Sequence, residues 1–312
     1  MTLEIRDLSK RYGNNWVLRD VSFDAEPGKV LAILGASKSG KSTLIKLLAG
    51  RERPSPAEKQ FGIDNHSIIG SEDIVQSKRS WIFSRTPQAR VDLSQRLSAI
   101  LNSASEVIAL DDPLRGTDRL LKEQFINSIR NQTSERKLIT IYATADFETA
   151  ATIADRIVVL AGGYVQQVGS PEEIYTSPQT TNVALLSGRC NIFSARRLTS
   201  TKFEIPEFQT IDGEHRLFAE RADIAKLGAI NRNISLAIRP EDISMSFGAS
   251  FPEDNLLKAV VTGVKYLGPM TIVELDANGL DLEAAVLRLV GLDIGQECVI
   301  GLPPERVRIL RD

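Results

Sequence analysis

Eight consecutive residues form the pattern with the clearest chemistry in this sequence: Gly35-Ala36-Ser37-Lys38-Ser39-Gly40-Lys41-Ser42. The pattern is G-x-x-x-x-G-K-[ST], in which the glycines let backbone N–H groups turn inward around phosphates. Lys41 would reach the β- and γ-phosphates, and the Ser42 hydroxyl would coordinate Mg²⁺. The alternative is a glycine-rich turn between a strand and a helix that binds no ligand. The predicted phosphate-binding residues are Gly35, Ala36, Ser37, Lys38, Ser39, Gly40, Lys41, Ser42 and Thr43.

Two acids at the end of an apolar run add a second feature of a nucleotide site. Residues 107–110 read Val-Ile-Ala-Leu and are followed by Asp111 and Asp112. A carboxylate at the carboxyl edge of a strand beside a phosphate-binding loop can hold Mg²⁺, usually through water. We assign that role to Asp111 and expect Asp112 to polarise the attacking water. The alternative is a pair of solvated turn acids before Pro113.

These residues need a parallel sheet to bring them together, and the hydrophobic pattern predicts one. Short β-rich runs alternate with helical stretches from residue 30 onward, which favours a parallel sheet with helices on both faces. Two alternating segments precede it, at residues 3–8 and 21–25, and predict an antiparallel pair. The predicted strands are residues 30–34, 80–83, 107–110, 138–143 and 156–160, and the predicted helices are residues 42–49, 93–102, 118–130 and 147–154.

The second half of the chain has a different texture. Residues 187–200 are polar and without a hydrophobic period, which indicates a linker. Short runs rich in Val, Ile and Leu follow, punctuated by Gly and Pro, and predict a small β-barrel or sandwich. The expected organisation is a nucleotide-binding domain at residues 1–187, a linker at 188–200 and a β domain at 201–312.

Composition narrows the classes of function. The chain has 312 residues and a formal net charge of −2, without a polybasic run, so we expect no nucleic-acid partner. Its two cysteines show no metal-ligand spacing. No apolar stretch approaches the roughly 18 residues needed to cross a bilayer, and the charged first ten residues are unlike a signal peptide. These observations predict a cytoplasmic protein.

The motifs resemble the ATP-binding subunit of an ABC transporter, in the group that imports sugars, polyamines, sulfate or ferric iron. Residues 110–114 are similar to its Walker B segment, residues 154–160 and 169–175 to later family segments, and residues 238–243 and 266–268 to its C-terminal TOBE domain. The resemblance implies an α/β P-loop NTPase domain with a mixed sheet, followed by a small all-β, OB-like domain. It also implies ATP and Mg²⁺ as cofactors, and it makes Tyr12 the aromatic residue that stacks on adenine.

The same comparison shows where this sequence departs from the family. Only residues 84–92 separate the strand that ends at Phe83 from the segment that resembles the end of the signature region. An average helix takes about 11–12 residues, so we expect the helical subdomain to be absent. No LSGGQ string occurs, Ser84 stands at the glutamine position of the Q-loop with Gln88 as a shifted substitute, and Ala145 stands where the family has its switch histidine.

The main functional prediction is an importer subunit that binds Mg·ATP to energise solute transport, with ATP hydrolysis impaired. If it is an active enzyme, it is an ATP hydrolase with Asp112 as its base. The alternative is a non-hydrolytic, ATP-binding regulatory or accessory protein descended from such subunits. A GTPase is disfavoured because no N-K-x-D motif is present. The resemblance implies membrane-spanning permease subunits and a second ATP-binding subunit as partners, at the inner face of the cell membrane.

Overall fold

The structure is a computed structural model that describes residues 2–56, 106–199, 205–223, 227, 229–246, 255–287 and 292–311, and the backbone of residues 68–70. The chain divides into two compact units, Met1–Thr176 and Ser177–Asp312. The predicted strand at residues 80–83 and helix at 93–102 lie outside the described residues, as does the short interval at 84–92 with Ser84 and Gln88.

The first unit is built on a mixed sheet with the strand order β4-β5-β6-β3-β7-β8. Five strands, β3 to β7, run parallel to one another, and β8 pairs antiparallel with β7. A separate antiparallel pair, β1 and β2, precedes the sheet. The strands are β1 Leu3–Tyr12, β2 Asn15–Ala25, β3 Val30–Leu34, β4 Ile68–Gly70, β5 Val107–Asp111, β6 Ile139–Thr144, β7 Arg156–Ala161 and β8 Tyr164–Gly169, and the helices are α1 Lys41–Leu48, α2 Arg119–Arg136, α3 Phe147–Ile153 and α4 Pro171–Thr176.

The parallel strands form because apolar side chains point to both faces of the sheet and are covered there. Every residue of β3 and β6 is buried, as are residues 107–110 of β5. Helix α2 begins where the Asp118 carboxylate accepts a hydrogen bond from the Leu121 N–H at 3.0 Å. It ends at Lys137, whose φ of 54° is left-handed. The predicted strands and helices of the described region are confirmed, with α2 extending six residues beyond its predicted end.

The second unit contains two antiparallel sheets that enclose one apolar core, as the predicted barrel or sandwich requires. Their strand orders are β11-β10-β9-β12-β18 and β13-β17-β14-β15-β16. Both sheets contribute buried side chains to the same cluster, including Phe208 and Leu236 from one and Leu275 and Ile300 from the other. The elements are α5 Thr181–Ser187, β9 Asn191–Arg197, β10 Glu207–Thr210, β11 Arg216–Phe218, β12 Asn233–Ile238, β13 Ser244–Ser246, β14 Asn255–Tyr266, β15 Thr271–Ala277, β16 Leu280–Val286, β17 Glu297–Leu302 and β18 Arg308–Ile309.

The expected linker at residues 188–200 contains a strand. Asn191, Phe193 and Ala195 of β9 are buried in alternation, but a polar and a small side chain occupy two of the three positions and hide the period. The Asn191 amide replaces a backbone partner, because it donates to Glu283 O at 2.8 Å and accepts from Glu283 N at 2.7 Å. The boundary between the units lies at Thr176, eleven residues before the predicted end of the first domain.

A buried arginine explains why α5 belongs to the second unit. Arg239, 5% exposed, donates to Ala184 O at 3.0 Å, to Ser187 Oγ at 2.7 Å and to Arg189 O at 2.9 Å. These acceptors lie in the last turn of α5 and just beyond it, where helix carbonyls lack intrahelical partners. Arg239 directly follows β12, so its guanidinium links the end of α5 to that strand.

Replacing Arg239 with methionine is expected to lower the free energy of unfolding by about 3 kcal/mol, because buried acceptors lose charged donors. Denaturant unfolding of the full chain, followed by circular dichroism, measures the change. Arg232→Met is the matched control, since Arg232 is exposed in the same unit and has no ion-pair partner among the described residues. Equal stability of the two variants would contradict the role assigned to Arg239.

Candidate nucleotide-binding site

The loop between β3 and α1 is held in one shape by close backbone packing. A Cβ atom at Gly35 would lie 2.4 Å from Leu160 O and 2.5 Å from Ser39 Oγ, so only glycine fits. Gly40 has a φ of 107°, and a Cβ atom there would lie 2.7 Å from Leu18 Cδ2. Helix α1 begins directly after Gly40, so its first N–H groups face the loop. The structure thus brings the predicted residues 35–43 together as one cradle.

Gly35→Ala is expected to weaken ATP binding at least about 10-fold and to lower stability by about 1–3 kcal/mol, because the new methyl group overlaps a backbone oxygen of β7. Fluorescent-nucleotide titration and thermal unfolding measure the two effects. Gly162→Ala is the control for backbone strain alone, since Gly162 has a φ of 60°, unlike Gly35, and its Cβ position has no atom within 4 Å. An unchanged affinity in Gly35→Ala would show that the loop can move without loss of the site.

Lys41 lies across the loop and carries its charge in a half-buried place. Its Nζ donates to Gly35 O at 2.7 Å and to Ala36 O at 2.8 Å. Burial lowers the pKa of Lys41, Asp111 and Asp112 oppose that effect, and the charge of Arg115 adds to it. The ammonium is therefore oriented toward the same side of the loop as the two acids of β5.

The acids lie at the carboxyl edge of the sheet, next to the loop. Asp111 ends β5 and is in register with Ala143 of β6, and Gly35 N donates to Thr144 O of the same strand at 3.2 Å. Asp112 has a left-handed φ of 48°, which Asp tolerates better than most residues. Its backbone N–H donates to Ala143 O at 2.7 Å, and its Oδ1 accepts from Thr144 Oγ1 at 3.3 Å.

Loop and acids share one cavity of about 410 Å³. The predicted residues that line it are Ser37, Lys38, Lys41, Ser42, Asp111 and Asp112. Ala145, at the position of the family's switch histidine, also lines it. The other residues that line it are Leu114, Arg115, Gly116, Thr117, Lys122, Tyr142, Asp146 and Thr149. Lys38, Lys41, Arg115 and Lys122 place four cations around three acids, which suits a polyanion bound with a divalent cation.

One buried hydroxyl at the site, Ser39 Oγ in the loop, has no hydrogen-bond partner within the described part of the chain. Burial, together with the charge of Asp112, raises the pKa of Tyr142, so its hydroxyl stays protonated as a donor. Among the described residues, no group of three carboxylate, histidine or cysteine side chains is placed to hold a metal ion.

Ala145, at the position of the family's switch histidine, has no side-chain hydrogen-bond donor. Ala145 lines the cavity with a methyl group, and the next residue, Asp146, forms an ion pair with Lys122 at 2.6 Å. Burial raises the pKa of Asp146, but hydrogen bonds from Lys122 and Thr149 outweigh it and the pKa is lowered overall. Asp146 also begins α3, since its carboxylate accepts from Glu148 N at 3.2 Å. Lys122 and Asp146 are therefore engaged with each other.

Tyr12 does not line this cavity. Its ring is 46% exposed at the end of β1, and the Lys10 ammonium lies 5.1 Å from its centroid. Its hydroxyl donates to the carboxylate of Glu52, which follows α1. Burial of the hydroxyl and that carboxylate raise the pKa of Tyr12. Adenine stacking on Tyr12 stays a prediction.

A parallel sheet with this loop at its carboxyl edge defines the class of P-loop nucleotide-binding proteins. Residues 18–169 match the family described as ABC transporter, and residues 236–310 match the family described as TOBE domain. Residues 18–169 are thus similar to ABC transporter ATP-binding domains, and residues 236–310 are similar to TOBE domains. Among the described residues, no helix is long and apolar enough to span a membrane.

Curated relatives match over almost their whole length. The chain is 26% identical to a spermidine/putrescine import ATP-binding protein of Clostridioides difficile, with 99% of this chain and 97% of that protein covered. It is also 26% identical to an Fe(3+) ions import ATP-binding protein of Escherichia coli, with 99% and 98% covered. A sulfate/thiosulfate import ATP-binding protein of Bacillus cereus is 24% identical, with 99% and 98% covered.

The alignment with the Clostridioides difficile protein also measures a difference in length. It extends over 359 positions, whereas 99% of the 312 residues of this chain is about 309 residues. About 50 positions of the alignment therefore have no residue of this chain. That difference is large enough for a small helical subdomain, whose absence stays a prediction because residues 84–92 lie outside the described region.

Proposed function

We propose that this chain binds Mg·ATP between the loop at residues 35–43 and the acids of β5, and that it energises an ABC-type importer. The observation that supports this most strongly is the shared cavity of Lys41, Ser42 and Asp111 at one edge of the sheet. Phosphate oxygens would replace the carbonyls that now accept from Lys41. The family match supports ATP as the nucleotide, and the importer relatives support the transport role.

The proposed roles of the phosphate and metal ligands follow from their positions at the cavity, and the proposed role of Tyr12 follows from the family resemblance. Loop N–H groups and Lys41 bind the phosphates, and Tyr12 stacks on adenine. Ser42 and Asp111 are the oxygen ligands placed to hold Mg²⁺, which would neutralise charge on the β- and γ-phosphates. Asp112 is the carboxylate that would accept the proton of the attacking water as the bond between the γ-phosphorus and the bridging oxygen breaks to yield ADP and phosphate.

The relatives support a proposal for the partners and the location of the chain. The proposal includes membrane-spanning permease subunits and a second ATP-binding subunit, either another copy of this chain or a paralogue. The chain would then be cytoplasmic and attached to the inner face of the membrane. The relatives import polyamines, ferric ions and sulfate, so a small charged solute is the expected cargo class. No finding favours the non-hydrolytic alternative.

Uptake in living cells tests the transport role. In a strain lacking this gene, import of labelled polyamine, ferric iron and sulfate is compared after complementation with the wild type, Lys41→Ala or Lys46→Ala. We expect the strain without the gene to lose uptake of one of the three solutes. The wild type and Lys46→Ala should restore that uptake, and Lys41→Ala should not. Normal uptake of all three solutes without the gene would contradict the proposed cargo class.

Turnover and assembly test the ATPase role directly. ATP hydrolysis and light-scattering mass are measured with Mg·ATP. The purified chain is measured alone and together with a paralogue that has the LSGGQ signature. ATP-dependent dimerisation with turnover supports the proposal. A chain that binds ATP but neither hydrolyses it nor assembles with a paralogue would instead be an ATP-binding accessory protein.

A further inference from the structure

Arg115 lies on a short turn that continues directly from the two acids of β5. Its backbone N–H donates to Asp112 O at 3.3 Å, and Thr117 N donates to Leu114 O at 3.2 Å. The Thr117 hydroxyl donates to the same carbonyl at 2.7 Å, and the Leu114 side chain is buried. Gly116 takes a positive φ of 78° and reverses the chain. The turn is therefore closed by its own hydrogen bonds and anchored in the core, which fixes where Arg115 starts.

The Arg115 side chain faces the nucleotide cavity and is available for a ligand. It lines the same cavity as Lys41, and its charge is close enough to act on the lysine ammonium. Among the described residues it has no ion-pair partner. Lys122, on the same side of the cavity, is engaged by Asp146 at 2.6 Å. Among the described residues, Arg115 is therefore a cation next to the acids of β5 that is available to bind an anion.

The place of the turn relates Arg115 to one end of a triphosphate. In a P-loop the backbone N–H groups surround the α- and β-phosphates, and the lysine reaches the β- and γ-phosphates. The strand-end acids face the metal and the attacking water, at the terminal phosphate. Since the turn begins at Asp112, its side chains extend from that terminal end. A guanidinium there suits a phosphate group, because its planar fork can donate two hydrogen bonds to two oxygens.

We propose that Arg115 contacts the terminal phosphate of ATP bound to its own chain and makes the site select ATP over ADP. The proposal rests on the proposed nucleotide function and goes beyond it by naming what distinguishes the triphosphate. The sequence contains no LSGGQ string to supply such a contact from a second copy, and Ala145 supplies no donor from β6. Arg115 provides the charge from within the same subunit.

Paired titrations with Mg·ATP and Mg·ADP test the assignment. We expect Arg115→Ala to weaken ATP binding by about 10- to 100-fold, the range for charge-assisted hydrogen bonds, and to change ADP binding less than about threefold. Arg115→Lys should fall between the wild type and Arg115→Ala, because lysine keeps the charge but loses the fork. Arg119→Ala is the control: its side chain is 92% exposed and pairs with Glu123 at 2.9 Å, outside the cavity.

The outcomes separate this proposal from the nucleotide function itself. If the wild type binds neither nucleotide, the nucleotide site is wrong. If the wild type binds ATP and ADP, and Arg115→Ala weakens the binding of both equally or of neither, the nucleotide site stands and the role of Arg115 is wrong. The titrations are repeated at protein concentrations where light scattering gives a monomer. An effect that occurs only in dimers would overturn the assignment to the same chain.

Discussion

Lys41→Ala is expected to weaken ATP binding by at least about 100-fold, because it removes a charged donor for the β- and γ-phosphates. In the structure the ammonium is already oriented by Gly35 O and Ala36 O, at 2.7 and 2.8 Å. The charge therefore requires little reorganisation to meet phosphate oxygens. Competition against a fluorescent ATP analogue measures the change, and thermal unfolding confirms that the variant folds.

Lys46→Ala provides the matched control for that experiment. Lys46 lies on the same helix, α1, but contacts Glu52 at 3.9 Å and does not line the cavity. Its removal should leave ATP affinity within about threefold of the wild type, as expected for an exposed ion pair. Equal affinities of Lys41→Ala and Lys46→Ala would show that the loop does not bind phosphates as described.

Asp112→Asn is expected to lower the rate of ATP hydrolysis by about 100-fold or more, the usual effect of removing a general base. Asparagine suits this position sterically, since it has the same shape and tolerates the left-handed φ of 48°. ATP affinity should be kept or increased, because one negative charge near the phosphates is removed. Steady-state phosphate release gives kcat, and nucleotide titration gives the affinity.

Glu148→Gln separates loss of the base from loss of charge in general. Glu148 is an exposed acid in the first turn of α3 and does not line the cavity. Its substitution should leave kcat unchanged. If Asp112→Asn retained the wild-type rate, another group would be the base. A wild-type rate no higher than the background without protein would identify the chain as non-hydrolytic.

The nucleotide-binding half could be predicted closely because its pattern is local and strong. Residues 30–34 are apolar throughout, and the glycine-lysine loop follows at once, so strand, loop and helix are each indicated independently. The second half was harder to predict. Strand β9 was taken for a linker because Asn191 and Ala195 fill buried positions, and the Asn191 amide replaces a backbone partner in a way that hydrophobic periodicity does not register.

The candidate site shows the same division. Lys41, Ser42 and Asp111 were predicted because motif spacing defines them, and the structure brings them to one cavity. Arg115 and Tyr142 were missed, since the direction of a turn side chain depends on how the turn is anchored. Their signal lies in position: Arg115 is four residues beyond Asp111 on the turn after β5, and Tyr142 is two residues before the end of β6.

Direct titration of the wild-type chain with ATP, with and without Mg²⁺, tests the central claim that residues 35–43 and Asp111 form a Mg·ATP site. Isothermal titration calorimetry should show saturable binding of one ATP per chain, tighter with Mg²⁺ and abolished in Lys41→Ala. No saturable binding of ATP at millimolar concentration by the folded wild type, or binding that Lys41→Ala leaves unchanged, would contradict it.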